Sequence, residues 1–220
     1  MPVPQFPRRS DAAAQWFLTP EGRAVLDSEQ TVVADALAAH PVIGLPWLWL
    51  APVPHDESVP GHGLRLVLAG QGWAGSIRCG AGLPLASESL GAVVLQHVLP
   101  DDIALSRPLI EDCVRLLVPG GRLTVLGLNP LSPYRLRWRR ARPGSRDPAA
   151  LRRLLADAGL APDAEASGIG PQWTPASSPS LQSGVGLRAA CVQRAEKRAI
   201  PLSPLRPRRA LPVGDGVAAT

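Results

Sequence analysis

Apolar and polar positions divide this chain into alternating helical and extended stretches. Thr19 can cap a first helix, with Pro20 at its first position. Val25, Val32, Val33, Ala36 and Leu37 repeat at helical spacing, and His40-Pro41 should stop the run. Pro46 to Ala51 is a short continuous apolar run, as in strands buried on both faces. Leu64–Ala69 predicts a second strand, ending at Gly70-Gln71-Gly72. Ser76–Cys79 predicts a weak third, and Leu90–Val98 a strong fourth.

A second helix is expected from a cap at Ser106, with Ile110, Cys113, Val114 and Leu117 on one stripe. Pro119-Gly120-Gly121 should end it, and Arg122–Gly127 reads as the fifth strand. An arginine-rich loop spans Arg135 to Arg146. Asp147 and Pro148 then open a third helix, whose Leu151, Leu154, Leu155 and Ala158 share a face before Gly159 closes it. Strands near 161–168 and 185–192 follow closely, which suggests a final hairpin. Residues 1–15 read as a flexible lead-in, 16–195 as one domain and 196–220 as a disordered tail rich in proline and arginine. The alternation predicts an α/β domain, a mostly parallel sheet with helices on both faces.

Composition changes this picture modestly. The 220 residues suit one core. The net charge of +5 is carried almost wholly by arginine, which points to an anionic partner or a solvated basic face. The three cysteines, Cys79, Cys113 and Cys191, are far apart, so neither a disulfide framework nor a zinc site is suggested. No apolar segment follows the charged start as in a signal peptide, and Pro41–Pro54 is too short to cross a bilayer. A cytoplasmic protein with no membrane partner and no metal is expected.

Three segments carry a resemblance. They are Leu83-Pro-Leu-Ala-Ser-Glu-Ser-Leu-Gly-Ala-Val-Val-Leu-Gln-His-Val-Leu99, then Arg115-Leu-Leu-Val-Pro-Gly-Gly-Arg-Leu123, then the helix ending at Gly159-Leu160. Over roughly residues 80–160 they resemble the class I S-adenosylmethionine-dependent methyltransferases, the type 11 group in particular. The resemblance implies a Rossmann-like, seven-stranded, mostly parallel sheet. It implies S-adenosylmethionine bound beyond the carboxyl ends of the strands, where ligands of open parallel sheets sit. On this chain that edge comprises Ala51, Gly70, Cys79, Gly80, Gln96 and His97, the expected cofactor-binding residues. The family has a glycine-rich loop after strand one, an acidic residue ending strand two and an Asp after strand three. Here those places hold Ala51-Pro-Val-Pro54, Gly70-Gln71 and Cys79-Gly80. Proline removes donors and fixes φ, so the first loop cannot cradle a ligand in the usual way.

Two functions follow. One is methyl transfer from S-adenosylmethionine to an unknown acceptor, with His97 the one candidate base and no catalytic residue assigned. The other is a non-catalytic binding or regulatory partner, with Trp47 and Trp49 filling cofactor space or packing on helices. Asn129-Pro130-Leu-Ser-Pro-Tyr134 is expected to be a strand-ending turn rather than a methylase motif. Arg135, Arg137, Arg139, Arg140 and Arg142, with Tyr134 and Trp138, form the basic cluster able to meet nucleic-acid phosphates. The tail arginines Arg206, Arg208 and Arg209 add less, and His55, Asp56 and Glu57 lack metal-ligand spacing.

Overall fold

The computed structural model describes residues 11–39, 44–54, 59–70, 72–141 and 143–198. Met1–Ser10, His40-Pro41, the cluster His55-Asp56-Glu57, Gln71, Arg142 and the tail arginines lie outside the described residues.

The helices begin where capping chemistry places them. After a short α1 (Asp11–Trp16), which begins in the expected lead-in and ends one residue past it, α2 spans Pro20–Ala38. The Thr19 hydroxyl accepts from the Gly22 N–H at 3.3 Å. α4 (Pro148–Asp157) is capped by Asp147, whose carboxylate accepts from Ala149 and Ala150. α3 (Ile103–Leu116) is capped by Asp102 rather than by Ser106. The Asp102 carboxylate accepts from the Ala104 N–H at 2.8 Å, while the Ser106 hydroxyl donates back to the carbonyls of Pro100 and Asp102. Pro108 inside the helix costs one backbone bond.

The strands are β1 (Trp47–Ala51), β2 (Gly63–Ala69), β3 (Gly72–Gly75), β4 (Leu90–Gln96), β5 (Leu117–Leu128), β6 (Leu160–Pro162), β7 (Ser167–Ile169), β8 (Gln182–Ser183) and β9 (Ala190–Lys197). They form a sheet of nine strands, not seven, in the order β3-β2-β1-β4-β5-β9-β7-β8, with β6 also on β9. β1, β2, β4 and β5 are mutually parallel, and β9 is antiparallel to β5, β6 and β7. The parallel centre explains the continuous apolar runs. Trp47, Trp49, Ala92, Val94, Leu126 and Leu128 pack with α2 on one face. Leu48, Leu50, Leu66, Val93, Leu95 and Val125 pack with α3 and α4 on the other. Each such leucine contributes about 1.5–3 kcal/mol when fully withdrawn from water.

Three more expectations are corrected. The third strand is Gly72–Gly75, not Ser76–Cys79, and it turns back antiparallel on β2. A Cβ on Gly72 would stand 2.2 Å from the Cys79 carbonyl, and one on Gly75 2.2 Å from that of Arg65. Only glycine admits the hairpin so tightly. The Pro119-Gly120-Gly121 turn lies within β5, where the pairing to β4 shifts register between Leu90 and Ala92. The last strand runs to Lys197, two residues into the expected tail. Its ammonium donates to the Leu117 carbonyl at 2.7 Å.

Candidate functional site

The carboxyl ends of β1 and β4 meet the middle of α2. Glu29, which no local pattern singles out, points from that helix into the sheet and is fully buried. Its carboxylate accepts from Gln96 Nε2 at 2.9 Å and from His97 Nε2 at 2.9 and 3.1 Å. Gln96 in turn accepts from the Trp49 indole N–H at 3.1 Å, which fixes which way its amide points. His97 follows β4 with a φ of 51°, the left-handed region. A side chain held there costs of order 1–3 kcal/mol and persists only where its surroundings over-determine it. Here the Glu29 contact and stacking on Phe17, ring centroids 4.8 Å apart, do so. With Nε2 donating to Glu29, buried His97 Nδ1 has no partner among the described residues.

Ala51, Gln96 and His97 thus come together as expected, but they face protein. Ala51 is 0% exposed, Gln96 1% and His97 4%. Pro52 and Val53 after β1 are buried too, and Trp16, Phe17, Tyr134 and Trp138 belong to the same core. Trp47 and Trp49 also pack there, as the sequence allowed.

The other expected residues lie elsewhere. Gly70 is exposed in the turn from β2 to β3. Cys79 pairs with Trp73 on the outer side of β3, so β3, β2 and β1 separate it and Gly80 from Gln96. A cavity of about 660 Å³ runs along β1 and β2 from Trp47 and Gly63, at their amino ends, past Arg65 to Val67. Another of about 330 Å³ is lined by Asp101, Pro130, Arg135, Trp138 and Arg139. Neither is lined by His97.

The thiols are not poised as nucleophiles. Burial, reinforced by the Glu29 charge, pushes Cys191 up to about 12. Cys113 is pushed up by burial and then by Asp112, and Cys79 more weakly by the same two causes. Tyr134 is also raised to about 12 by burial, and its hydroxyl donates to the Glu21 carbonyl at 3.0 Å. Asn129 proves structural, as expected of a turn. Its amide donates to the carbonyls of Gly186 and Arg188 and its oxygen accepts from the Leu131 N–H. In the basic cluster Arg137 donates to the Trp173 carbonyl and pairs with Glu21, Arg135 donates to the Pro130 carbonyl, and Arg135, Arg137, Arg139 and Arg140 are all exposed. Tyr134 and Trp138 are turned inward. Among the described residues no helix is long and apolar enough to cross a membrane.

This geometry has counterparts among solved structures. A SAM-dependent methyltransferase of Thermotoga maritima matches at a TM-score of 0.52 and 16% identity, over 84% of this chain and 94% of that one. Geranyl diphosphate C-methyltransferase of Streptomyces coelicolor matches at 0.50 and 14%, over 89% and 100%; that protein was crystallised with Mg2+, geranyl diphosphate and S-adenosyl-L-homocysteine. The chain has the class I methyltransferase fold. No protein-family model and no curated protein matches it by sequence.

Within that methyltransferase fold, the residues present do not fit S-adenosylmethionine. Pro52 and Pro54 offer no N–H after β1, Gly70-Gln71 supply no carboxylate after β2, and the space beyond β4 is filled by Glu29, His97 and Phe17. The same substitutions were visible in the sequence. The closure was not, because it depends on Glu29 from a distant helix.

Proposed function

We propose that this methyltransferase-fold protein works without S-adenosylmethionine, as a non-catalytic binding or regulatory partner. The observation that carries this reading is the buried Trp49–Gln96–Glu29–His97 network at the carboxyl ends of β1 and β4. Opening that edge would break the hydrogen bonds of three donors among these four side chains, and each buried donor left unmade costs about 1–3 kcal/mol. A ligand would have to supply that free energy before gaining any contact of its own.

Methyl transfer to an acceptor is the second reading. Its support is that the structural neighbours are SAM-dependent methyltransferases and that, among the described residues, His97 Nδ1 is left without a partner at the strand end. Calorimetric titration of the folded full-length protein with S-adenosylmethionine and S-adenosylhomocysteine separates the two. The first reading predicts no heat from either ligand at millimolar concentration. Micromolar binding, weakened in a His97→Ala variant, would establish the second.

A further inference from the structure

Most of the large apolar side chains exposed on the described residues sit on segments that adjoin one another. Seven are exposed, and five of them, Leu18, Leu131, Leu136, Trp173 and Leu187, belong to the segments that meet around the 3-10 turn Pro133–Arg137. The hydrogen bonds show how they meet. The Ser132 hydroxyl donates to the Leu187 carbonyl at 2.9 Å, and the Arg137 guanidinium to that of Trp173 at 3.0 and 3.3 Å. The Tyr134 hydroxyl reaches the Glu21 carbonyl in the first turn of α2, two residues beyond Thr19 and its neighbour Leu18. Leu131 is 75% exposed, Leu136 67% and Trp173 63%. Soluble domains scatter such residues singly, and a contiguous group signals something that covers it. Arg135, Arg139 and Arg140 stand among them, exposed.

Charge and side-chain type together choose the occupant. A single-stranded nucleic acid would use the arginines and stack its bases on several aromatic faces, but Tyr134 and Trp138 are 1% and 5% exposed, which leaves Trp173 as the one exposed aromatic among the described residues of this face. Leucines do not stack on bases. Leucine and tryptophan flanked by arginine is instead the composition that lies at an anionic bilayer surface, apolar tips in the acyl boundary and cations at the headgroups. We infer that this face docks the protein peripherally on a membrane bearing anionic lipid. No spanning segment is involved and no continuous apolar run announces the face: it is assembled from four separated segments, at Leu18, Leu131 to Arg140, Trp173 and Leu187. It stands whether or not the carboxyl edge binds a cofactor.

The test is co-sedimentation of the full-length protein with vesicles of phosphatidylcholine alone or with about one third phosphatidylglycerol. The protein should sediment with the anionic vesicles and at least about tenfold less with the neutral ones. Leu131→Asp/Leu136→Asp should weaken anionic binding at least about tenfold, and Arg139→Gln/Arg140→Gln about fivefold per arginine. These positions are exposed, so the variants should melt with the wild type. Trp173 is exposed whereas Trp16, Trp47, Trp49, Trp73 and Trp138 are buried, so vesicles should blue-shift the emission in the wild type and not in Trp173→Phe. Three outcomes overturn the inference. They are no sedimentation with either vesicle, unchanged binding in the leucine variant, or salt-sensitive binding to an RNA oligomer without vesicle binding.

Discussion

Glu29→Ala removes the one acceptor that two buried donors share. Gln96 Nε2 and His97 Nε2 lie 2.9 Å from that carboxylate, and neither has water to turn to at 1% and 4% residue exposure. Leaving each unmade costs about 1–3 kcal/mol, and a lost partner in a buried pair typically totals about 3–5 kcal/mol. For a domain of this size that is a fall in Tm of about 6–20 °C. Glu29→Gln keeps the shape but brings its own N–H donors against one of the two, so about half the loss is expected. Urea unfolding followed by far-UV circular dichroism gives the free energies, and a cycle with His97→Ala isolates the pair. The single losses should exceed the double-variant loss by about 1–3 kcal/mol when summed. A Glu29→Ala loss below about 1 kcal/mol, or simple additivity, would refute the view that this network holds the carboxyl edge shut.

Three further outcomes are expected. Stability should fall as pH rises above 9, because Cys113, Cys191 and Tyr134 keep their protons in the folded state while the unfolded chain loses them near the ordinary values of 9.0 and 10.0. Their contribution is full below about pH 9 and fades toward about 12 for Cys191, with up to about 1.4 kcal/mol per pH unit for each group; urea midpoints across pH 8–10.5 should flatten in Cys191→Ala. Asn129→Ala, which leaves the Gly186 and Arg188 carbonyls without its amide, should cost about 2–3 kcal/mol and raise proteolysis of the 171–188 segment. Gly75→Ala, whose Cβ would meet the Arg65 carbonyl at 2.2 Å, should cost about 2–4 kcal/mol in the same assay.

The parts of this molecule that were legible in the sequence depend on neighbours along the chain. The caps at Thr19 and Asp147, the helical stripes of α2 and α4 and the buried runs of β1 and β4 are local chemistry, and they stand where expected. Arg115 shows what the motif it belongs to does here: its guanidinium ties Asp112 to the carbonyls of Leu83 and Leu85. The misplaced elements turn on contacts distant in sequence. Gly70-Gln71-Gly72 marks a turn but not whether the next strand reverses or crosses over, and Lys197 is held in β9 by the Leu117 carbonyl. The site divides in the same way. Ala51, Gln96 and His97 were readable as the strand ends they are. Glu29 was hidden because a carboxylate in an amphipathic helix ordinarily faces water, and only the fold shows this one turned inward.

The most direct test of the closed edge is the Trp49 indole N–H in a ¹⁵N-correlated spectrum, recorded while S-adenosylmethionine is added to millimolar concentration. That proton is donated to Gln96 inside the network. A sealed edge predicts that its resonance does not move and that it exchanges with deuterium only as fast as the whole domain unfolds. A resonance that shifts with added S-adenosylmethionine, or an indole proton that exchanges well before the core, would contradict it.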